Sequence, residues 1–104
     1  MKYHKLVRDR IPEIIVGRGD RPVTHVLDAE AYDRALRDKL QEEVAEFIES
    51  GEVAELVDVL EVVYALAAVQ GVGHSQIESL RQQKLNDRGG FGERVFLEEI
   101  IPGV

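Results

Sequence analysis

DAEAYDRALRDKLQEEVAEFIESGEVAELVDVLEVVYALAAVQG, residues 28–71, decides the fold. Tyr32, Leu36, Leu40, Val44 and Phe47 recur at helical spacing, and Asp28 is a suitable N-cap, so a long helix is expected from there to about Glu49. Ser50-Gly51 ends it. Ser50 is then placed to cap a second helix from Glu52 to about Gln70, closed by Gly71 and Gly73. The short turn between the two makes them antiparallel neighbours.

Outward from this pair the elements shorten. A brief amphipathic helix is expected around Asp9 to Val16, with Pro12 in its first turn and Gly17, Gly19 and Pro22 breaking the pattern after it. PVTHVLD (22–28) and RVFLEEII (94–101) are rich in β-branched residues and read as two short strands that can pair. Ser75-Gln-Ile-Glu78 reads as a capping box that opens another helix, with Gly89 as its C-cap. The expected fold is all-α: four helices with a minor two-stranded element, in a single domain over residues 1–104.

The helix that follows Gly51 carries no charge between Glu61 and Val72, and Val57, Val59, Leu60, Val62, Val63 and Leu66 surround its axis. A helix that is apolar all round has to be covered on every side. Four short helices can hardly do this alone, so a homo-oligomer, dimer or tetramer, is expected.

Composition narrows the function classes. The chain has 44% hydrophobic and 32% charged residues, which excludes disorder, and no cysteine, which excludes disulfides and thiolate metal sites. The start MKYHKLVRDR holds no apolar run fit for a signal peptide, and Val62–Gly73 is about half a membrane span. A cytoplasmic protein without a membrane partner is the expectation. The net charge of −7 is uneven: residues 28–61 hold twelve acidic and three basic residues, and the rest of the chain holds eight and ten. The acidic middle disfavours a nucleic-acid backbone but attracts a polyphosphate carried on divalent cations.

With Leu36 set at zero on the helical wheel, Leu40 falls at about 40°, Phe47 at about 20° and Glu43 at about −20°. Glu43 therefore points into the apolar face, and Glu46 lies one turn on, beside it. Burying a lone carboxylate costs several kcal/mol, so a cation is its natural partner. Glu55 and Asp58 repeat the i, i+3 spacing on the next helix, with Glu61 a turn further. Two such pairs on facing helices can converge on one volume and offer four or more oxygens to hard cations, their number left open, and all-oxygen ligation suits Mg²⁺, with Mn²⁺ an acceptable substitute. The bland reading, a solvated acidic face, fits Glu42, Glu49 and Glu52. A di-iron bundle needs Glu-x-x-His pairs, and the residues three before His4, His25 and His74 are Met1, Pro22 and Gly71. Lys84, Arg88 and Gly89-Gly90 form a basic helix end suited to phosphate contact, or an ordinary capped C-terminus. Lys5, Arg8 and Arg10 are open in the same way, and Tyr64 and Phe91 are either base-stacking or core residues.

KLQEEVAEF (Lys39 to Phe47) followed by ELVDVLEVVYAL (Glu55 to Leu66) resembles the Glu-Glu-x-x-Glu and Glu-x-x-Asp signature of the all-α nucleoside triphosphate pyrophosphohydrolases, the MazG-like proteins. YHKLVRDRIPEII and KLNDRGGFGERVFLEEI are similar to the branch labelled phosphoribosyl-ATP pyrophosphohydrolase-like. The resemblance implies that Glu43, Glu46, Glu55 and Asp58 hold Mg²⁺, and that Glu42 orients or deprotonates the attacking water. It also implies that a nucleotide is cut to its monophosphate and pyrophosphate, with Lys84, Arg88, Lys39, Arg8 and Lys5 contacting phosphates. Only eight residues separate Glu46 from Glu55, so the loop that often shapes the base or sugar pocket is nearly absent, and the substrate stays open. House-cleaning of nucleotides is expected ahead of the histidine-biosynthetic reaction, because Asp58-Val-Leu-Glu61-Val-Val-Tyr64 stands where Ala-Asp-Leu-Leu-Tyr-His would be expected. A non-catalytic helical interaction module is the opposing class.

Overall fold

The computed structural model describes residues 3–103, which form four helices: α1 (Ile11–Gly17), α2 (Ala29–Ser50), α3 (Val53–Val69) and α4 (His74–Arg88). The chain divides into two compact units, Met1–Gly73 with α1 to α3 and His74–Val104 with α4. In the first, α2 and α3 fold back on each other as a helical hairpin.

The ends of the hairpin helices follow from local chemistry. The Asp28 carboxylate accepts a hydrogen bond from the Ala31 amide at 2.8 Å, satisfying one of the orphan donors of the first turn of α2. Gly51 terminates α2 at φ +69°, a left-handed conformation that costs a side-chain-bearing residue about 1 kcal/mol or more. Its amide closes the helix on the Phe47 carbonyl at 2.7 Å. Ser50 belongs to α2 rather than capping α3, but its Oγ still accepts from the Glu52 amide at 3.2 Å and braces the turn.

Two local expectations are corrected. α4 starts at His74, so Ser75 lies inside its first turn rather than ahead of it. Glu78 pairs with the Arg81 guanidinium at 2.6 and 3.0 Å, a charge-assisted contact within α4. No strand forms among the described residues. Residues 22–28 and 94–101 leave Val23, Val26, Val95 and Phe96 more than four-fifths exposed. Alternating β-branched residues favour an extended chain, but a strand exists only when a neighbour completes its hydrogen-bond ladder.

The core is small. Leu36 on α2 and Val62 on α3 are the buried apolar residues, at 3% and 8% exposure. Along α3, Val53, Leu56, Val57 and Leu60 stay open to solvent, as does Ile48 on α2. The all-round apolar character of α3 is thus only partly absorbed by its own unit. Among the described residues no single helix is long and apolar enough to cross a membrane.

Candidate functional site

The helical wheel placed Glu43 on the inner face of α2, and among the described residues Glu43 is the buried charged one, at 6% exposure between the levels of Leu36 and Phe47. Packing α3 against α2 brings Glu55 and Asp58 to it: one carboxylate oxygen from each of the three lies within 4.8 Å of the others. Glu43 Oε1 faces the Lys39 ammonium, one turn back on α2, at 3.2 Å. Glu43 Oε2 is sealed from solvent and receives no hydrogen bond. A buried acceptor without a donor costs about 1–3 kcal/mol, so such a group is either a stability defect or a ligand.

Glu46 is near the cluster but outside it. Its side chain is exposed on α2, and its carboxyl is raised above the usual value of 4.5. The first cause is the hydrogen bond that a protonated Glu46 shares with Glu43. Repulsion from the Glu43, Glu55 and Glu42 charges adds to it. Glu61, also exposed, lies outside the group of three.

Glu42 sits at the edge of α2 between two ammonium groups, Lys5 at 3.3 Å and Lys39 at 3.5 Å. Burial pushes its carboxyl up, but the hydrogen bond from Lys5 and the charges of Lys39 and Lys5 outweigh that and hold it below the ordinary range. It is therefore ionised at neutral pH and able to accept a proton or orient a water. Arg8, fifty positions before Asp58, donates from Nη2 to Asp58 Oδ1 at 2.6 Å. The segment before α1 thus supplies Lys5 to α2 and Arg8 to α3.

The sequence-derived site residues divide accordingly. Glu43, Glu55 and Asp58 are brought together; Glu46 and Glu42 flank them; and Lys39, Lys5 and Arg8 are ion-paired with the acidic side chains. Lys84 and Arg88 lie one turn apart in the second unit, lining an open hollow along α4 with Ile77, Leu80 and Asp87. Arg10 turns to Glu13 on α1, at 3.8 Å. The three histidines are exposed and none joins the carboxylates. Phe91 is 99% exposed, so it is not a core residue, while Tyr64 is half-buried. The direct pairing of Lys5 and Arg8 with the carboxylates was not anticipated from the sequence. The only signal for it there was the basic N-terminus set against an acidic middle.

Comparison with known proteins adds little to this geometry. No family model matches the chain, and no solved structure matches it. A protein of Mycolicibacterium smegmatis, described as uncharacterized, is 55% identical over 42 residues, which cover 40% of this chain and 43% of that protein. The chain is therefore similar to less than half of that relative's length.

Proposed function

We propose that the chain is a Mg²⁺-dependent nucleotide pyrophosphohydrolase of the MazG-like kind, cutting between the α- and β-phosphates to give a nucleoside monophosphate and pyrophosphate. The observation that carries this reading is the sealed, donor-less oxygen of Glu43 beside Glu55 and Asp58. Three carboxylate oxygens within one small volume suit a hard divalent cation and repel one another without it. Glu43, Glu55 and Asp58 would hold the ion, with Glu46 beside Glu43. Bound Mg²⁺ supplies charge neutralisation at the phosphoryl oxygens and acidifies water. Glu42, kept ionised by Lys5 and Lys39, accepts the proton of the attacking water. The basic side chains at the rim, Lys5, Arg8 and Lys39, orient the phosphates.

The open α3 face, with Leu56, Val57 and Leu60, supports self-association as a dimer or tetramer. A cytoplasmic, house-cleaning role on nucleotides is the reading preferred over phosphoribosyl-ATP cleavage. One observation favours the opposing module: Arg8 and Lys39 already neutralise Asp58 and Glu43 in part.

The test is incubation with Mg²⁺, then Mn²⁺, and a panel of nucleoside triphosphates, deoxynucleotides, oxidised nucleotides and phosphoribosyl-ATP, with pyrophosphate and monophosphate quantified. Release of both from any substrate, abolished by Glu43→Gln and by Asp58→Asn with helical circular dichroism intact, is expected. Silence across the panel, or full activity of either variant, overturns the reading.

A further inference from the structure

The segment that precedes α1 reaches both halves of the hairpin at the level of the carboxylates. Lys5 meets Glu42 on α2 at 3.3 Å and Arg8 meets Asp58 on α3 at 2.6 Å, across 37 and 50 positions of sequence. These are not the contacts of a rigid buried network. The Lys5 and Arg8 side chains are 43% and 52% exposed, and their partners 32% and 38%. Exposed pairs of this kind hold weakly, because water screens the attraction and two long side chains lose rotamer freedom. Lys39 differs: it is 17% exposed, lies on the same helix as its partners and contacts both Glu42 and Glu43.

We propose that Arg8, assisted by Lys5, is an exchangeable counter-ion of the carboxylate site: it competes with the divalent cation for Asp58, and the cation's arrival transfers its guanidinium to the phosphates of the ligand. This rests on the metal reading given under Proposed function and adds an order of events to it. The physical basis is that Asp58 is claimed twice, as one of three converging carboxylates and as the acceptor of Arg8. A dication held by Glu43, Glu55 and Asp58 repels a guanidinium on the same carboxylate, whereas a weak, half-exposed ion pair is easily given up. Once released, a guanidinium on a short segment beside the site is a fork-shaped donor matched to phosphate oxygens. Arg8 therefore acts with opposite sign on the two ligands, opposing the bare cation and favouring the phosphate chain that follows it.

The experiment measures Mn²⁺ binding to the full chain by calorimetry and by the paramagnetic resonance of free Mn²⁺. Binding of imidodiphosphate, a non-hydrolysable pyrophosphate analogue, is then measured at saturating Mn²⁺. Wild type is compared with Arg8→Met and Arg8→Lys, with circular dichroism as the check on folding. Arg8→Met is expected to bind Mn²⁺ about three- to tenfold more tightly, as removal of a like charge near a dication requires. It is expected to bind imidodiphosphate about tenfold more weakly, for loss of a charge-assisted phosphate contact. Arg8→Lys, which keeps the charge, leaves Mn²⁺ affinity near the wild-type value. Unchanged or weakened Mn²⁺ binding in Arg8→Met, or shifts of the same sign for both ligands, overturns the exchange while leaving the metal reading intact. A wild-type chain that binds no Mn²⁺ overturns both.

Discussion

Replacing Glu43 by glutamine separates a ligand from a structural residue, because the two roles predict opposite changes in stability. Glu43 is 6% exposed, and its Oε2 receives no hydrogen bond. An unsatisfied buried acceptor costs about 1–3 kcal/mol. Glutamine keeps the shape, removes the charge that faces Glu46 and can place an amide donor toward that neighbour. Against this stands loss of the Lys39 contact at 3.2 Å, a largely buried charge-assisted contact worth about 1.5–3 kcal/mol, offset by relief of the repulsion between Glu43 and the Glu55 and Asp58 carboxylates within 4.8 Å of it. Lys39 itself keeps Glu42 at 3.5 Å, so no cation is stranded. The balance is a net gain of about 1 kcal/mol, which for a domain of this size raises Tm by about 4–8 °C. The assay is thermal and urea unfolding in EDTA and again in saturating Mn²⁺. In EDTA the variant should be the more stable protein. In Mn²⁺ the order should reverse, since a ligand at a hundred times its Kd adds about 2.7 kcal/mol to the wild type and nothing to a variant that does not bind it. A Glu43→Gln protein that is less stable than wild type in EDTA would refute the reasoning, by showing that Glu43 is chiefly the structural partner of Lys39.

Leu36→Ala should cost about 2–4 kcal/mol in urea unfolding, a large loss for a core in which Leu36 is the most buried apolar side chain, at 3% exposure. Asp28→Ala removes the acceptor of the Ala31 amide at 2.8 Å and should cost about 1 kcal/mol by the same assay, with a small loss of helical signal. For Glu46 the folded pKa lies above its unfolded value, so the folded protein is stabilised by protonation: its repulsion from Glu43 is absent at low pH and returns as pH rises through the raised pKa. Glu46→Gln in EDTA should therefore be more stable than wild type at pH 7, with the difference fading as pH falls toward 4.5. A difference independent of pH, measured by Tm across that range, would exclude charge repulsion as the cause.

The sequence alone determined what depends on near neighbours along the chain. The caps of α2, the break at Ser50-Gly51 and the extents of α2 and α3 follow from residues within a turn or two. So does the inward direction of Glu43, since the helical period fixes a side chain's azimuth once the apolar stripe is known. Among the readings that failed locally, the caps expected at Ser50 and Ser75 missed the helix starts, which lie at Val53 and His74, and the strands at 22–28 and 94–101 depended on a hydrogen-bonding neighbour outside the motif, which the alternating pattern does not supply. Tertiary structure decided which carboxylates meet. Glu46 and Glu55 belong to the same two i, i+3 pairs as Glu43 and Asp58, yet only Glu55 joins the cluster, because the rotation of α3 against α2 sets the meeting point and no local period encodes it. It also decided that Arg8 reaches Asp58 across fifty residues, for the charge pattern says that a cation is needed beside the acids but not which one the chain path delivers.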